Sequence, residues 1–314
     1  MEVGWFDHQK QEIDGYETFE ESLNEENCKG LDFDVISVFA SSEVTGKVLE
    51  EVRPEIVVTR STGFDHIDLD RAEELGIEVY NVPHYGSNTV AEHAFGLLLS
   101  LSKKIPQAEE KTHKEFSHEG LEGFELKHKK IGIIGTGEIG QKAIKMAKGF
   151  EMDVIAYDPY EKPELEEDLG FMYVTLKDLI HQSDIISLHC PLTNENHHML
   201  SKEEFGQMNG TVIINTARGG LIDSQALLNA VESSSVSYAG LDVLELEDEM
   251  RGLEDISEKT EFCCEEFEAN CKLIEREDVI VTPHSAFNTA EAKRRILDET
   301  IRNIEERPEE NKVV

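Results

Sequence analysis

KKIGIIGTGEIG (residues 129–140) joins a strand pattern to a helix pattern through three glycines. The apolar run breaks at Gly135, where a tight turn is needed, and Gly137 lets the backbone approach a pyrophosphate. Gly140 allows the helix to pack closely against the strand. A pyrophosphate held here lies on the helix N-terminus, where unpaired N–H groups and the helix dipole favour anions. The spacing therefore predicts dinucleotide binding, with a plain glycine-rich turn as the alternative.

A second apolar run, residues 153–157, stops at Asp158. This carboxylate follows the first glycine by about 20 residues, where a ribose-binding acid belongs. A 2′-phosphate beside it would face like charge, at roughly 4 kcal/mol per charge pair 4 Å apart with an effective dielectric near 20. No Arg flanks Asp158, so NAD is predicted in preference to NADP. The alternative is that Asp158 only starts an Asp-Pro turn.

Short β-rich runs alternate with helical patterns along most of the chain, which predicts the α/β class with parallel sheets. The later runs complete a doubly wound, Rossmann-type domain around the glycine motif. The predicted strands outside that motif are residues 3–6, 35–39, 56–59, 77–81, 185–188, 212–215, 238–243 and 279–282.

Two helical stretches bear on the domain boundaries. Residues 88–104 are apolar over much of the circumference, which predicts a core helix or a subunit contact. A helix at 289–306 follows the last strand of the nucleotide domain and can return to the first domain. We therefore expect a discontinuous substrate domain, residues 1–100 and 286–314, and a nucleotide domain, residues 101–285.

Composition limits the class of protein. The 314 residues, 39% of them hydrophobic, suffice for two cores, and no apolar run is long enough to span a bilayer. The first residues lack the basic and apolar regions of a secretion signal, so a cytoplasmic protein is expected. The five cysteines form no pairwise framework and no C-x-x-C, which predicts neither disulfides nor a metal site: Cys28, Cys190, Cys263, Cys264 and Cys271.

Acidic residues dominate the charge, with 66 Asp and Glu against 30 Lys and Arg and a formal net charge of −36. Such a surface repels nucleic acid phosphates and anionic lipids, so neither is an expected partner. Like charges on this surface repel one another, and the screening length falls from about 8 Å at 0.15 M salt to about 3 Å at 1 M. Because high salt would relieve this repulsion, the composition favours a halophilic protein. Lys outnumbers Arg, which argues against that interpretation, and an acidic surface without a salt requirement is the alternative.

Three polar residues follow predicted strands of the nucleotide domain: Arg218, Glu247 and His284. Because ligands bind at the carboxyl ends of parallel strands, the three can meet in one crevice. There Arg218 could hold a substrate carboxylate bidentately, and His284 could exchange the proton of a hydroxyl group. Glu247 could orient the imidazole, although Glu245 and Glu249 are alternatives for this role. Asp242 is placed to accept a hydrogen bond from a nicotinamide carboxamide.

Four other histidines are predicted to have ordinary roles. His197 and His198 are adjacent, so their rings should face different directions, and a solvated loop is expected rather than a metal pair. His66 and His93 lie in apolar-patterned stretches and are predicted to be hydrogen-bonded core or supporting residues.

The chain resembles the D-isomer-specific 2-hydroxyacid dehydrogenases, and the resemblance covers nearly its whole length. The motifs that carry it are GTGEIG at 135–140, HCPLT at 189–193, NTARGG at 215–220, GLDVLELE at 240–247 and TPHSAF at 282–287, with TRSTGFDHID at 59–68 and NVPHYGSNTVAEHAFGLLL at 81–99.

This resemblance implies an NAD-dependent enzyme that interconverts a small 2-oxo acid and its D-2-hydroxy acid, commonly as a homodimer. It implies a flavodoxin-like substrate domain beside the Rossmann domain, with the active-site cleft between them. The family's catalytic Arg, Glu and His fall on Arg218, Glu247 and His284. Its cofactor contacts fall on Gly135, Gly137, Glu138, Ile139, Gly140, Asp158, Cys190, Pro191, Asn196, Thr216, Ala217 and Asp242, and its substrate contacts on Thr62, Gly63, Tyr85, Arg218 and Phe287.

Within the family, Tyr85, Phe287 and the segment 251–259 are similar to the D-lactate dehydrogenase branch. Leu244 and Asn288 depart from the aromatic residues common there, which leaves the substrate's side chain open. Glu138 puts an acid in the glycine motif, and we expect it to turn outward. A glyoxylate or hydroxypyruvate reductase and an NAD-sensing, corepressor-like binding protein are the alternative functions.

Overall fold

The structure, a computed structural model, describes residues 17–19, 21–250 and 264–314. The chain divides into two compact units. Unit 1 combines the described residues up to Tyr85 with Asn288–Val314, and unit 2 is Gly86–Phe287. The predicted strand at 3–6 lies outside the described residues, as does the segment 251–259. None of the described helices has the length and hydropathy of a membrane-spanning segment.

Unit 1 contains a parallel sheet whose described strands lie in the order β1-β2-β3. Loops and short helices connect the strands. The caps of one helix explain its short length: the Asp68 carboxylate accepts a hydrogen bond from the Arg71 N–H at its start, and Gly76, at φ 70°, ends it. The elements are β1 (Val35–Val38), α1 (Gly46–Val52), β2 (Ile56–Thr59), α2 (Leu69–Leu75), β3 (Glu78–Tyr80) and, from the C-terminal segment, α12 (Ala290–Glu306).

The C-terminal segment belongs to unit 1 through buried hydrogen bonds. Asn303 of α12 is fully buried; its amide donates to the Asn81 carbonyl at 2.7 Å, and its carbonyl oxygen accepts from the Asn311 amide at 2.7 Å. Val313 N–H then donates to the carbonyl of Val79. The bonds to Asn81 and Val79 join residues that are 222 or more positions apart in sequence, and unit 1 is discontinuous.

Unit 2 contains a seven-stranded, fully parallel sheet in the order β10-β9-β8-β7-β4-β5-β6. The strand order reverses between β4 and β7, the position where ligands bind in such sheets. Its elements are α3 (Ser87–Ser102), α4 (Ile105–Thr112), β4 (Lys130–Ile134), α5 (Glu138–Gly149), β5 (Asp153–Tyr157), α6 (Pro163–Leu169), β6 (Met172–Tyr173), α7 (Leu176–Gln182), β7 (Ile185–Leu188), α8 (Lys202–Phe205), β8 (Thr211–Asn215), α9 (Ser224–Glu232), β9 (Val236–Leu241), α10 (Glu247–Met250), α11 (Glu265–Ile274) and β10 (Val279–Val281).

The central strands of this sheet are buried on both faces. Every residue of β7 and β8 is buried, as expected where helices cover both sides of a parallel sheet. One core cluster includes Leu179, Leu227 and Ile213, and the other includes Leu98, Ile144 and Ile131. The predicted α/β class is therefore confirmed.

The first domain boundary differs from the predicted one. The division falls between Tyr85 and Gly86, whereas the sequence analysis put it after residue 100. Helix α3 explains the difference: it packs against α5 and β9 of unit 2 and buries Ala91, Phe95 and Leu98 there. Packing within its own unit accounts for the apolar character of α3. The second boundary, after Phe287, lies two residues beyond the predicted one.

We predict that Asn303→Ala lowers the free energy of unfolding by about 2 kcal/mol, because the Asn81 carbonyl and the Asn311 amide lose a buried partner. Urea unfolding at fixed salt measures this. The control is Asn88→Ala, which removes an exposed amide bonded to Glu92 and should change stability by less than about 0.5 kcal/mol. Equal effects of the two substitutions would contradict the proposed attachment of α12.

Candidate active site

The turn after β4 has the geometry that a dinucleotide requires. Gly135 has φ 95°, and a Cβ added there would lie 2.8 Å from the Cys190 nitrogen. A Cβ on Gly140 would collide with the Gly135 carbonyl, so α5 starts directly against the turn. By contrast, a Cβ on Gly137 would meet nothing within 4 Å. Two glycines are thus required by packing, and the third keeps open space at the N-terminus of α5.

Asp158 braces this turn. Its Oδ2 accepts from the backbone N–H of Thr136 at 2.8 Å and from the Thr136 hydroxyl at 3.0 Å. Its Oδ1 accepts from the Tyr160 N–H at 2.9 Å, so the Asp-Pro turn also forms. The carboxylate is half-buried. Asp158 therefore orders the glycine loop by itself, and its contact with a ribose stays a prediction.

The two variable residues of the motif take different positions. Glu138 is exposed, as expected, and its carboxylate accepts from the Ser87 hydroxyl at 2.7 Å. Ile139 is half-buried and packs against the core beneath α3 and α5. The acid is thus held at the start of α3 by a hydrogen bond that the sequence did not indicate.

The loop after β7 packs directly against the glycine turn at Gly135. Cys190 is half-buried, and burial raises the pKa of its thiol to about 11, so the thiol stays protonated at neutral pH. Asn196 donates to the Pro191 carbonyl at 2.7 Å and accepts from the Thr193 N–H at 2.7 Å. The Asn196 side chain therefore shapes the loop that the sequence analysis assigned to the cofactor.

The turn after β8 presents Arg218. The buried Asn215 side chain accepts from the Ala217 N–H at 3.0 Å and donates to the Arg218 carbonyl at 2.9 Å. The Arg218 guanidinium donates to the Ala217 carbonyl at 2.8 Å. The Thr216 hydroxyl is buried without a hydrogen-bond partner, which a bound cofactor can supply. Together with the open space at Gly137, this orphaned hydroxyl fits a dinucleotide.

Asp242, just after β9, is buried and already has several hydrogen-bond donors. Its Oδ1 accepts from the Thr282 hydroxyl at 2.6 Å and the Ser285 N–H at 2.9 Å, and its Oδ2 accepts from the Ala286 N–H at 2.9 Å. Burial is the largest influence on the Asp242 pKa and raises it, but hydrogen bonds from His93, Thr282 and the two backbone groups outweigh burial and lower the pKa. Asp242 stays ionised and fixes the segment after β10.

That segment places His284 in an uncommon conformation. His284 has φ 49°, in the left-handed region, and its N–H donates to the carbonyls of Asp242 and Thr282. Its Nδ1 lies 2.5 Å from Oε1 of Glu247. A left-handed histidine costs of order 1 kcal/mol or more and persists only where neighbours hold it. Here they do, and the imidazole faces a carboxylate.

The structure distinguishes Glu247 from its acidic neighbours. Glu247 begins α10 and contacts His284, whereas Glu245 accepts from His198 and from the Ser224 N–H. Glu249 is exposed. Of the three acids, the predicted one pairs with His284.

Arg218 comes from the neighbouring strand end. A Cβ on Gly219 would collide with the backbone of Leu244 and Glu245, so the Arg218 turn packs against the segment that leads to Glu247. Since β8, β9 and β10 are adjacent and parallel, all three predicted catalytic residues follow strands at one edge of the sheet. Phe287, the last residue of unit 2, is half-buried.

The predicted substrate residues of unit 1 lie on anchored loops. The Thr62 hydroxyl donates to the Val82 carbonyl at 3.1 Å, and the Ser61 hydroxyl donates to the Gly63 carbonyl at 2.6 Å. The carbonyl of Tyr85 accepts from Arg295 at 2.7 Å.

The loop predicted at His197 and His198 forms, but the prediction that their rings face different directions is wrong. The rings stack, with centroids 3.9 Å apart and planes at 30°, and His198 has φ 54°, in the left-handed region. No sequence pattern indicates such a conformation. His93, by contrast, is hydrogen-bonded as predicted: its Nε2 lies 2.9 Å from the Thr282 hydroxyl and 3.3 Å from Asp242 Oδ1.

Comparisons with known proteins agree with this geometry. Residues 95–286 match the family model for the NAD binding domain of D-isomer specific 2-hydroxyacid dehydrogenases. The chain is 39% identical to D-lactate dehydrogenase of Escherichia coli over 92% of this chain and 88% of that protein. It is 39% identical to hydroxypyruvate reductase of Thermotoga maritima over 86% and 83%, respectively. The crystal structure of Aquifex aeolicus D-lactate dehydrogenase complexed with NAD and lactic acid superposes with a TM-score of 0.87 at 32% identity, covering 100% of this chain and 96% of that chain.

The chain belongs to the D-isomer specific 2-hydroxyacid dehydrogenase family. It is an NAD-dependent oxidoreductase, which confirms the predicted family, enzyme class and cofactor.

We predict that Gly137→Ala weakens NADH binding roughly tenfold or more, because the new methyl group occupies the space that a pyrophosphate needs. Its φ of −64° suits Ala, so stability should change by less than about 1 kcal/mol. Titration of NADH fluorescence and a urea unfolding curve measure the two effects. Gly149→Ala is the matched control, since a Cβ there also meets nothing within 4 Å. An unchanged NADH affinity in Gly137→Ala would place the cofactor elsewhere.

Proposed function

We propose that this enzyme reduces pyruvate or a bulkier 2-oxo acid to the D-2-hydroxy acid, with Arg218, Glu247 and His284 as the working residues. The observation that carries the proposal is the contact between His284 and Glu247 at 2.5 Å, at the carboxyl edge of the NAD-binding sheet. Relatives with 39% identity are named for lactate and hydroxypyruvate, which supports a short 2-oxo acid.

Each residue has a distinct role in this proposal. NADH, when bound, supplies the hydride that reaches the carbonyl carbon. His284 gives a proton from its imidazolium to the carbonyl oxygen and takes it back in the reverse direction. Arg218 pairs with the substrate carboxylate and polarises the carbonyl. Glu247 orients the imidazole and stabilises its positive charge.

Supporting roles are proposed for the remaining site residues. Thr216 and the Gly135–Gly140 turn hold the dinucleotide, with Asp158 towards its ribose. The side chain of Asp242 is engaged with the His284 segment, so we propose that it supports the nicotinamide site chiefly by fixing that segment. Thr62 and Gly63 bind the substrate carboxylate, and Tyr85 and Phe287 border its side chain, as the resemblance implies.

The second candidate is a glyoxylate or hydroxypyruvate reductase, supported by the Thermotoga relative and by Leu244, which replaces an aromatic residue common in the lactate branch. A substrate series separates the two, because an apolar side chain on the 2-oxo acid improves kcat/KM only where an apolar pocket receives it. A corepressor-like NAD sensor would oxidise no NADH with any member of the series.

We predict that Arg218→Ala lowers kcat/KM for pyruvate roughly a thousandfold, or about 4 kcal/mol of transition-state stabilisation, because the substrate carboxylate loses a charge-assisted pair. Steady-state NADH oxidation over a series of 2-oxo acids, repeated with NADPH, measures it. Arg276→Ala removes a guanidinium that pairs with Asp278 and is the control. A kcat/KM near the wild-type value in Arg218→Ala would refute the assigned role.

Glu247→Gln should lower kcat roughly 10- to 100-fold and leave KM nearly unchanged, since Glu247 contacts His284 and is proposed to act through it. Glu249→Gln, a neighbouring exposed acid, serves as control and should be neutral. The same assay with saturating NADH separates kcat from KM. If Glu249→Gln were the damaging substitution, the acid would have been misassigned.

We further propose a cytoplasmic homodimer with a halophilic surface that binds neither nucleic acid nor membranes. The formal charge of −36 supports the salt requirement, and the family resemblance supports the dimer. Several described basic residues pair with more than one acid. Arg302, for example, pairs with Glu299, Glu306 and Glu310.

We predict that the unfolding midpoint rises as the KCl concentration increases from about 0.1 M to molar levels. The electrostatic screening length then falls from about 10 Å to about 3 Å, which relieves the repulsion between like charges. Chemical unfolding in urea at each KCl concentration gives the midpoint, and sedimentation velocity in the same series gives the oligomeric state. A flat or falling midpoint would exclude the salt requirement and leave the enzyme assignment intact.

A further inference from the structure

Two histidines and a glutamate converge outside the proposed catalytic residues. His197 and His198 lie on the loop after β7, and Glu245 lies after β9. One ring nitrogen from each histidine and one Glu245 oxygen all lie within 4.8 Å of one another. We propose that these three side chains form a site for a divalent transition metal ion of the Zn²⁺ class.

The carboxylate is the fixed part of this site. The Glu245 side chain is only 10% exposed. Its Oε2 accepts from the Ser224 N–H at 2.8 Å, and its backbone carbonyl accepts from the Asn270 amide at 2.6 Å. These bonds hold the oxygen that faces His198 in place. Carboxylates that bind metal ions are typically oriented by hydrogen bonds of this kind.

The two imidazoles lie side by side, and each can supply a ligand nitrogen. Their rings stack with centroids 3.9 Å apart, which keeps one nitrogen of each ring within 4.8 Å of the Glu245 oxygen. His197 is exposed, so an ion has a route from solvent to the half-buried Glu245.

The distances suit a small metal ion. His198 Nε2 and Glu245 Oε1 are 2.5 Å apart. Ligands bound tetrahedrally to Zn²⁺ at about 2.0–2.2 Å lie about 3.3 Å from one another. The His198–Glu245 pair must open by less than an ångström, which a small rotation of the His198 ring provides. The separations to His197, at most 4.8 Å, must close by about 1.5 Å or less, which rotation of its exposed side chain provides.

The ligand set also selects the class of metal. Two imidazoles and one carboxylate suit Zn²⁺, Ni²⁺ and Co²⁺, whereas Mg²⁺ and Ca²⁺ prefer all-oxygen ligands. A water molecule completes the coordination. The bound ion would connect the loop after β7 to the chain after β9. The turn after Arg218 packs against the same site, since a Cβ on Gly220 would lie 3.4 Å from the His197 ring.

Titration with Co²⁺ tests the site, because its visible absorption reports four- or five-coordinate nitrogen and oxygen ligation independently of enzyme activity. The purified full-length protein is titrated in molar KCl with excess Mg²⁺, which suppresses weak binding to the acidic surface. We expect saturation at one equivalent per chain, reversal by Zn²⁺, and a Tm that rises with Zn²⁺.

His197→Ala is the diagnostic variant, since it removes an exposed ligand and leaves the bond between His198 and Glu245. It should weaken Co²⁺ binding roughly tenfold or more. His113→Ala is the matched control, because His113 is also bonded to a glutamate, Glu109, at 2.6 Å but has no second imidazole beside it. Absence of saturable binding in the wild type, or equal binding in His197→Ala, would overturn the proposal. Neither result bears on NADH oxidation.

Discussion

The buried carboxylate of Asp242 organises the proposed active site of this enzyme. It lies just after β9 and accepts hydrogen bonds from the Thr282 hydroxyl and from the N–H groups of Ser285 and Ala286. These bonds hold the chain that leaves β10 in a tight turn, with His284 in the left-handed region. The strain in that turn is offset by charge-assisted hydrogen bonds, which are among the stronger ones available in a protein interior. His93 adds a further contact from α3, so a helix of the same unit stabilises the turn.

The parallel sheet converts this local constraint into a site. Because β8, β9 and β10 run side by side in one direction, their carboxyl ends present Arg218, Asp242 with Glu247, and His284 at the same edge. The reversal of strand order between β4 and β7 brings the glycine turn and the Cys190 loop to that edge too. The proposed catalytic residues and the glycine turn thus depend on a single strand arrangement, and side chains such as Asn215 and Asn196 shape the loops.

Much of this arrangement could be predicted from the sequence, since buried strands are strongly apolar. The strands at 56–59, 153–157 and 185–188 were predicted to the residue, whereas β6, only two residues long with Met172 exposed, gave no pattern. The glycine turn followed from motif spacing, and the pairing of Glu247 with His284 from their positions after predicted strands and from the family resemblance. The observed division before α3 differs from the predicted boundary because an all-round apolar helix does not indicate which unit buries it. The contacts of Asp242 with Thr282 and of Glu245 with His198 join residues 40 or more apart in sequence, and the stacking of His197 on His198 depends on a left-handed backbone. No local sequence pattern indicates these long-range contacts or the stacking of the two rings.

The central claim is that the imidazole held by this turn moves the proton during reduction. His284→Asn tests it most directly, because Asn tolerates the left-handed backbone but cannot act as an acid or base near neutral pH. The measurement is the single-turnover rate of NADH oxidation with saturating pyruvate, alongside the NADH dissociation constant. The account predicts a rate lower by roughly a thousandfold with unchanged NADH affinity. A rate within about tenfold of the wild-type value would show that His284 does not carry the proton.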